Sequence, residues 1–167
     1  PPLDRPRKLG PAPPIEVVVQ MLETALALRR ASTRSAPRSS AEWDQVYASE
    51  SPERLPWYTD RVDDDLLASF DRLAPRHAFV LDIGTGLGTM AAAAAERGHR
   101  VVAIDLSGRA LEDARRRAPE LSVLWLQDDI TSSHLRSPFD IAVDRGCLHL
   151  LTPEGAARYA GNLAALL

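Results

Sequence analysis

Residues Val80-Leu81-Asp82-Ile83-Gly84-Thr85-Gly86-Leu87-Gly88-Thr89 place three alternating glycines directly after an apolar run of strand length, and an alanine-rich stretch follows at once. Glycine is required where backbone turns sharply or approaches a ligand with no Cβ in the way. The helix expected beyond the loop offers unpaired N–H groups and the positive end of its dipole. A merely tight strand-to-helix turn needs one glycine rather than three. The stretch therefore points to a chain that folds around a nucleotide-like ligand held at a strand end.

The rest of the chain from Ala78 onward agrees. Apolar runs at Phe79 to Ile83, Val101 to Ile104, Val123 to Leu126 and Ile141 to Val143 have strand length. They alternate with helical stretches at Met90 to Arg97, Arg109 to Ala118 and Pro153 to Leu166. Near-continuous apolar strands separated by helices predict an α/β fold, a Rossmann-like parallel sheet with helices on both faces and right-handed connections. The second strand ends in Asp105, 21 positions after Gly84, followed by Leu106. An acidic residue there accepts hydrogen bonds from ribose hydroxyls. Its competing role is as N-cap of the next helix, which Ser107 can fill instead.

Two cofactor classes fit these features. A dinucleotide site with G-x-G-x-x-G spacing has its third glycine at position 89, which here is Thr89. The third glycine is instead Gly88, and Asp82 stands two residues before Gly84. This arrangement resembles motif I of the class I S-adenosylmethionine-dependent methyltransferases. The run Pro138-Phe139-Asp140-Ile141-Ala142-Val143-Asp144-Arg145-Gly146-Cys147-Leu148-His149 resembles motif IV of that family and the segment after it, in wording nearest to the thiopurine and tellurite-resistance branch. Trp43 with Tyr47, then Pro56-Trp57, is similar to the aromatic segment that closes over the cofactor in that branch. The resemblance covers about residues 41 to 167.

The resemblance implies S-adenosyl-L-methionine as cofactor and a small-molecule methyl acceptor, with a thiol or chalcogen oxyanion as the acceptor class of that branch. It lays the loop residues Asp82, Gly84, Thr85, Gly86 and Gly88 along the amino-acid and ribose portions, with Asp105 and Leu106 at the ribose and Trp57 in the cover. In Gln127-Asp128-Asp129-Ile130 the acidic residue accepts from the adenine amino group and the next apolar side chain packs on the ring. Asp129 and Ile130 match best, Asp128 competes with Asp129, and a solvated loop is the alternative. Asp144, Arg145 and His149 are the candidate catalytic residues at the acceptor side. Asp144 stands at a strand tip. Arg145 either orients an anionic substrate or pairs with Asp144. His149 is a candidate general base or a helix-capping histidine. Cys147 reads as a small core residue rather than a nucleophile. A nicotinamide-dependent oxidoreductase and a non-catalytic nucleotide-binding or scaffold fragment are the competing functions.

Composition narrows the remaining classes. A net charge of -3 leaves no basic excess to draw nucleic acid. No apolar run approaches the ~20 residues that cross a bilayer. One cysteine fits a reducing cytoplasm and no disulfide framework. His77, His99 and His134 show no metal-ligand spacing, so no metal site is expected. Residues 1–40 read as a proline-rich arm, a helix over Ile15 to Arg30 and a Ser/Arg/Pro linker, while residues 41–167 read as the cofactor-binding part of a methyltransferase domain. Ser40 is expected to cap a short helix and Asp60 to open another carrying Val62, Leu66, Leu67, Phe70 and Leu73. A chain starting at Pro1 and supplying about four of the seven strands of that fold is expected to be a trimmed or truncated product. The alternative is a protomer completed by a second chain or a homo-oligomer, since strand four alone would be an apolar edge and Leu163, Leu166 and Leu167 would lack part of their packing.

Overall fold

The computed structural model describes residues 38–167. The proline-rich arm, the helix expected over 15–30 and the linker up to position 37 lie outside the described residues. Among the described residues the elements run α1 (Ser40–Ser49), α2 (Asp64–Leu73), β1 (Phe79–Ile83), α3 (Thr89–Glu96), β2 (Arg100–Asp105), α4 (Gly108–Arg117), β3 (Val123–Gln127), β4 (Ile141–Asp144) and α5 (Pro153–Leu166). Single 3-10 turns occupy Pro52–Arg54, Ile130–Ser132 and Leu148–Leu150. The four strands form one parallel sheet in the order β3-β2-β1-β4.

The near-continuous apolar strands arise because both faces of the sheet are covered. Successive side chains point to opposite faces, so Val80, Val101 and Ala103 meet α2, α3 and α4 through Phe70, Met90, Ala91, Ala94, Leu111 and Ala114. Leu81, Ile83, Val102 and Ile104 face the other way, onto Tyr159 and Leu166 of α5 and onto Ile130 and Phe139. Each such aliphatic side chain contributes roughly 1.5–3 kcal/mol on full burial. The alanines of α3 let its backbone lie close on the sheet: Ala91 and Ala94 are both 0% exposed.

The element boundaries depart from expectation in instructive places. Ser39, not Ser40, caps α1, through a reciprocal capping box with Glu42. The freed Ser40 hydroxyl donates to the Leu106 carbonyl, 2.8 Å away. Helix α2 opens at Asp64 rather than Asp60, leaving Val62 buried in the loop before it and Leu73 exposed at its end. Leu166, expected to lack packing, is buried against the sheet, and its carbonyl accepts the Phe139 amide at 2.6 Å. Leu163 is half-buried in the same cluster and Leu167 remains exposed.

The order of strands fixes where a ligand can bind. The chain moves outward from β1 through β2 to β3 and then returns to the opposite side of β1 as β4. Loops leaving β1 and β4 therefore diverge, and a crevice opens at their carboxyl ends. The glycine loop lies on one side of it and the Asp144–Leu150 segment on the other.

At Gly88 the loop has φ +82°, and a Cβ there would stand 2.5 Å from the indole of Trp125. A left-handed backbone costs an ordinary residue roughly 1–2 kcal/mol, and overpacking adds a similar amount. Gly88→Ala is expected to lower the unfolding free energy by about 2 kcal/mol or more, read from urea denaturation. A midpoint equal to the parent's would show that Trp125 yields freely.

Candidate functional site

The three loop glycines all have positive φ: 65° at Gly84, 55° at Gly86 and 82° at Gly88. Side chains of the protein itself come up against them. A Cβ on Gly84 would stand 2.9 Å from Cβ of Cys147, and one on Gly86 would stand 3.1 Å from the Tyr47 hydroxyl. The loop is thus gripped from the β4 side by Cys147 and from above by α1. The amide-rich start of α3 has no side-chain cap, whereas Ser39, Ser107 and Thr152 cap α1, α4 and α5. In its first turn the Ala91 amide is turned toward the Asp82 carboxylate, so Asp82 acts on α3 in place of a side-chain cap.

Three strand tips around this loop carry aspartates. Asp82 is 2% exposed, and its carboxylate accepts the Thr85 hydroxyl at 2.6 Å. Burial, reinforced by the charge of Asp144, pushes its carboxyl up to about 7 despite that hydrogen bond. Asp105 accepts the Gly86 amide at one oxygen and the Ser107 amide at the other, each 2.8 Å away. Burial raises its carboxyl too, against the lowering effect of those amides. Ser107 caps α4, accepting the Ala110 amide, so Asp105 is left without a capping duty.

Asp144 is the most heavily bonded of the three. One oxygen accepts the amides of Gly146 and Cys147 at 2.9 and 2.8 Å, and the other accepts the Leu148 amide and the Tyr159 hydroxyl at 3.0 and 2.9 Å. These four bonds shape the turn that sets Cys147 against Gly84. Burial, with the Asp144 carboxylate beside it, raises the Tyr159 hydroxyl and keeps it a donor. The same two causes raise the Cys147 thiol, in keeping with a packing role for that residue.

Arg145 does not pair with Asp144. Its Nε donates to Asp63 at 2.7 Å and its other nitrogen to the Trp57 carbonyl at 3.4 Å. His149 lies on the Leu148–Leu150 turn, its ring 3.1 Å from where a Cβ on Gly146 would be. At the β3 end, Asp129 bonds the amide and hydroxyl of Thr131, both at 2.8 Å. Asp128 is drawn into a separate loop by Ser133 and His134. Ile130 is 4% exposed and belongs to the α5-side core. Leu106 presents its carbonyl to Ser40 and to Gln127, at 2.8 and 2.9 Å.

The aromatic segment lies over the glycine loop. Trp57 is 40% exposed, meets Trp43 edge-on at 5.6 Å, and its indole N–H donates to the Tyr47 hydroxyl at 3.3 Å. Burial and the nearby Asp105 charge raise the Tyr47 hydroxyl, so it stays neutral over the loop. Helix α1 is fixed by Asp44, whose carboxylate accepts the Ser107 hydroxyl at 2.6 Å and the Arg109 amide at 3.1 Å. Asp44, Asp63 and Tyr159 are partners that the sequence pattern did not single out. Each works through a residue more than ten positions away, and local periodicity carries no such signal. Among the described residues no cluster of His, Cys, Asp and Glu has the make-up of a metal site, and no helix is long and apolar enough to cross a membrane.

Comparison with known proteins agrees with this geometry. A family described as a methyltransferase domain matches residues 80–167, more than half of the chain. An uncharacterized methyltransferase of Mycobacterium tuberculosis is 34% identical over 95 residues, which cover 56% of this chain and 47% of the relative. The chain spans about half the length of the curated relatives it matches. A structure concerned with the conversion of a disulfide bond into a thioacetal group during echinomycin biosynthesis is similar at 28% identity and a TM-score of 0.69, covering 76% of this chain and 55% of that one. A methyltransferase from Thiobacillus denitrificans bound to S-adenosyl-L-homocysteine aligns with a TM-score of 0.54 and 27% identity, over 70% of this chain and 49% of that one. A TehB-like methyltransferase from Corynebacterium glutamicum shares the fold at 23% identity and a TM-score of 0.57, over 77% and 66% of the two chains.

Asp82 gives a pH signature. Its carboxyl is raised from near 3.8 to about 7, so the folded chain holds a proton that the unfolded chain has released. On this account stability falls as pH rises between those values and is level beyond them. Asp82→Asn lacks the titration, so its stability relative to the parent is expected to climb across that window in denaturant melts. A pH-independent difference would mean Asp82 is ionised throughout.

Proposed function

Because the chain belongs to the methyltransferase-domain family, we propose that it binds S-adenosyl-L-methionine at the carboxyl ends of β1 and β2 and directs methyl transfer to a small molecule near the tip of β4. The observation that carries this reading is Asp105, half-buried at the β2 tip and tied to the Gly86 amide. Each of its oxygens accepts one backbone amide and keeps a lone pair for a ribose hydroxyl. The protein thus already holds the glycine loop and the ribose acceptor in fixed relation.

The other assignments follow the crevice. Asp82, Gly84, Thr85, Gly86 and Gly88 border the amino-acid portion, Leu106 stands beside the ribose, and Trp57 covers it. Asp129, whose bonds to Thr131 both fall on one oxygen, serves the adenine amino group in preference to Asp128, both of whose oxygens are engaged by Ser133 and His134. Ile130 supports that end from the core. When bound, the cofactor supplies an activated methyl group on a sulfonium. The protein's part is alignment and exclusion of water. Asp144 has three bonds committed to the turn and a fourth to Tyr159 of α5, which suits a strut better than a base. His149, on the Leu148–Leu150 turn, is the candidate for general base.

An acceptor that arrives ionised needs little base assistance, and a thiol fits that requirement. The likeness to the structure concerned with disulfide-to-thioacetal conversion also favours sulfur as the nucleophile. Calorimetric titration with S-adenosyl-L-homocysteine, with a nicotinamide dinucleotide as control, tests the cofactor site. Binding of the first alone is expected, and binding of the second alone would overturn the reading. Asp105→Ala is expected to weaken the first by ~1–3 kcal/mol, the usual cost of losing a charged hydrogen-bond partner. Affinity equal to the parent's would remove Asp105 from the ribose site.

A further inference from the structure

Asp63 holds the N-cap position of α2 but makes no side-chain bond to its own helix. Aspartate at that position ordinarily accepts an amide from the first turn. Its carboxylate instead accepts Arg145 Nε at 2.7 Å, 82 residues further along the chain and just beyond the β4 tip. The same guanidinium reaches the Trp57 carbonyl. Through Trp57 the connection continues to the Tyr47 hydroxyl and so to the face of Gly86.

We infer that the Arg145–Asp63 pair is a latch that holds the aromatic segment over the glycine loop, making Arg145 a positioning residue rather than a ligand for substrate. The inference rests on the cofactor reading above. The two ends of the segment are fastened differently. At the α1 end, Asp44 bonds Ser107, which is 0% exposed. At the other end the Arg145 and Asp63 side chains are 37% and 55% exposed. An exposed ion pair is weak and screened by salt, so the Trp57 stretch opens first, pivoting on the Thr59 carbonyl held by the Thr89 hydroxyl at 3.0 Å and on the buried Val62. Entry and exit of cofactor then pass the Arg145 side, with α1 as the fixed edge.

The test is stopped-flow release of S-adenosyl-L-homocysteine, followed by tryptophan fluorescence at low and high salt. The full chain is compared with Asp63→Asn, Arg145→Gln and the charge-swapped double variant Asp63→Arg/Arg145→Asp. Asparagine caps helices as well as aspartate does, so Asp63→Asn leaves the start of α2 intact. Each single variant is expected to release about two- to fivefold faster, the range a surface ion pair supplies, and to lose the acceleration that salt produces in the parent. The swap is expected to restore part of the slow release. In the ligand-free chain, amide hydrogen exchange across residues 50–63 is expected to quicken in both single variants. Release rates and exchange equal to the parent's would overturn the latch, as would a swap worse than either single change. If the parent binds no S-adenosyl-L-homocysteine, the cofactor reading fails, and exchange over 50–63 decides the latch alone: unchanged exchange refutes it.

Discussion

The carboxylate of Asp105 ties the glycine loop to the start of α4 just beyond the last backbone bond between β1 and β2, the Thr85 amide to the Ile104 carbonyl at 3.0 Å. Strands β1 and β2 are in register as far as Ile83 and Ile104, and beyond that point the chain diverges into the glycine loop and the start of α4. Asp105 accepts one amide from each side. A carboxylate drawn partly out of water is costly unless hydrogen-bonded, and charge-assisted bonds to amides offset that cost. The loop's backbone is therefore fixed to β2, and Tyr47, Cys147 and Trp125 close upon it so tightly that a Cβ on any of its three glycines would crowd them.

Much of this architecture is legible in the sequence because it depends on periodicity and on glycine. The four strands follow from apolar runs, and both faces of the sheet are filled as continuous hydrophobicity requires. Gly84, Gly86 and Gly88 are read as a sharply turning loop that a ligand approaches, and all three have positive φ, yet part of the reason is internal to the protein. The close approach that excludes a side chain at Gly88 is made by Trp125 from β3, a strand partner no local rule foresees. Capping shows the same limit. Ser39 and Ser40 are equivalent by composition, and only the reach of Glu42 back to Ser39 selects between them.

The β4 end is where sequence reasoning falls short, and the cause is tertiary. Asp144 looks like a group aimed at a substrate until the Gly146, Cys147 and Leu148 amides and the Tyr159 hydroxyl are seen to converge on it. Arg145 has an acidic neighbour in sequence but a different one in space. Asp63 reads as an interior helical residue when the helix is drawn from Asp60, and its exit from that helix is what frees it for Arg145. Charged residues of ordinary types acquire distinct roles here through partners that lie 15 and 82 positions away.

The strand order also has a consequence in time. Strand β1 finds β2 some twenty residues later, but its other neighbour is remote: 61 positions separate the Phe79 amide from the Asp140 carboxylate that accepts it. Long-range parallel pairing is slow to form because loop-closure entropy is lost before contacts repay it. During synthesis the glycine loop can therefore be shaped by Asp105 well before Cys147 exists to press on Gly84. The two walls of the crevice are born in sequence, and the nascent chain carries a half-built site until β4 docks.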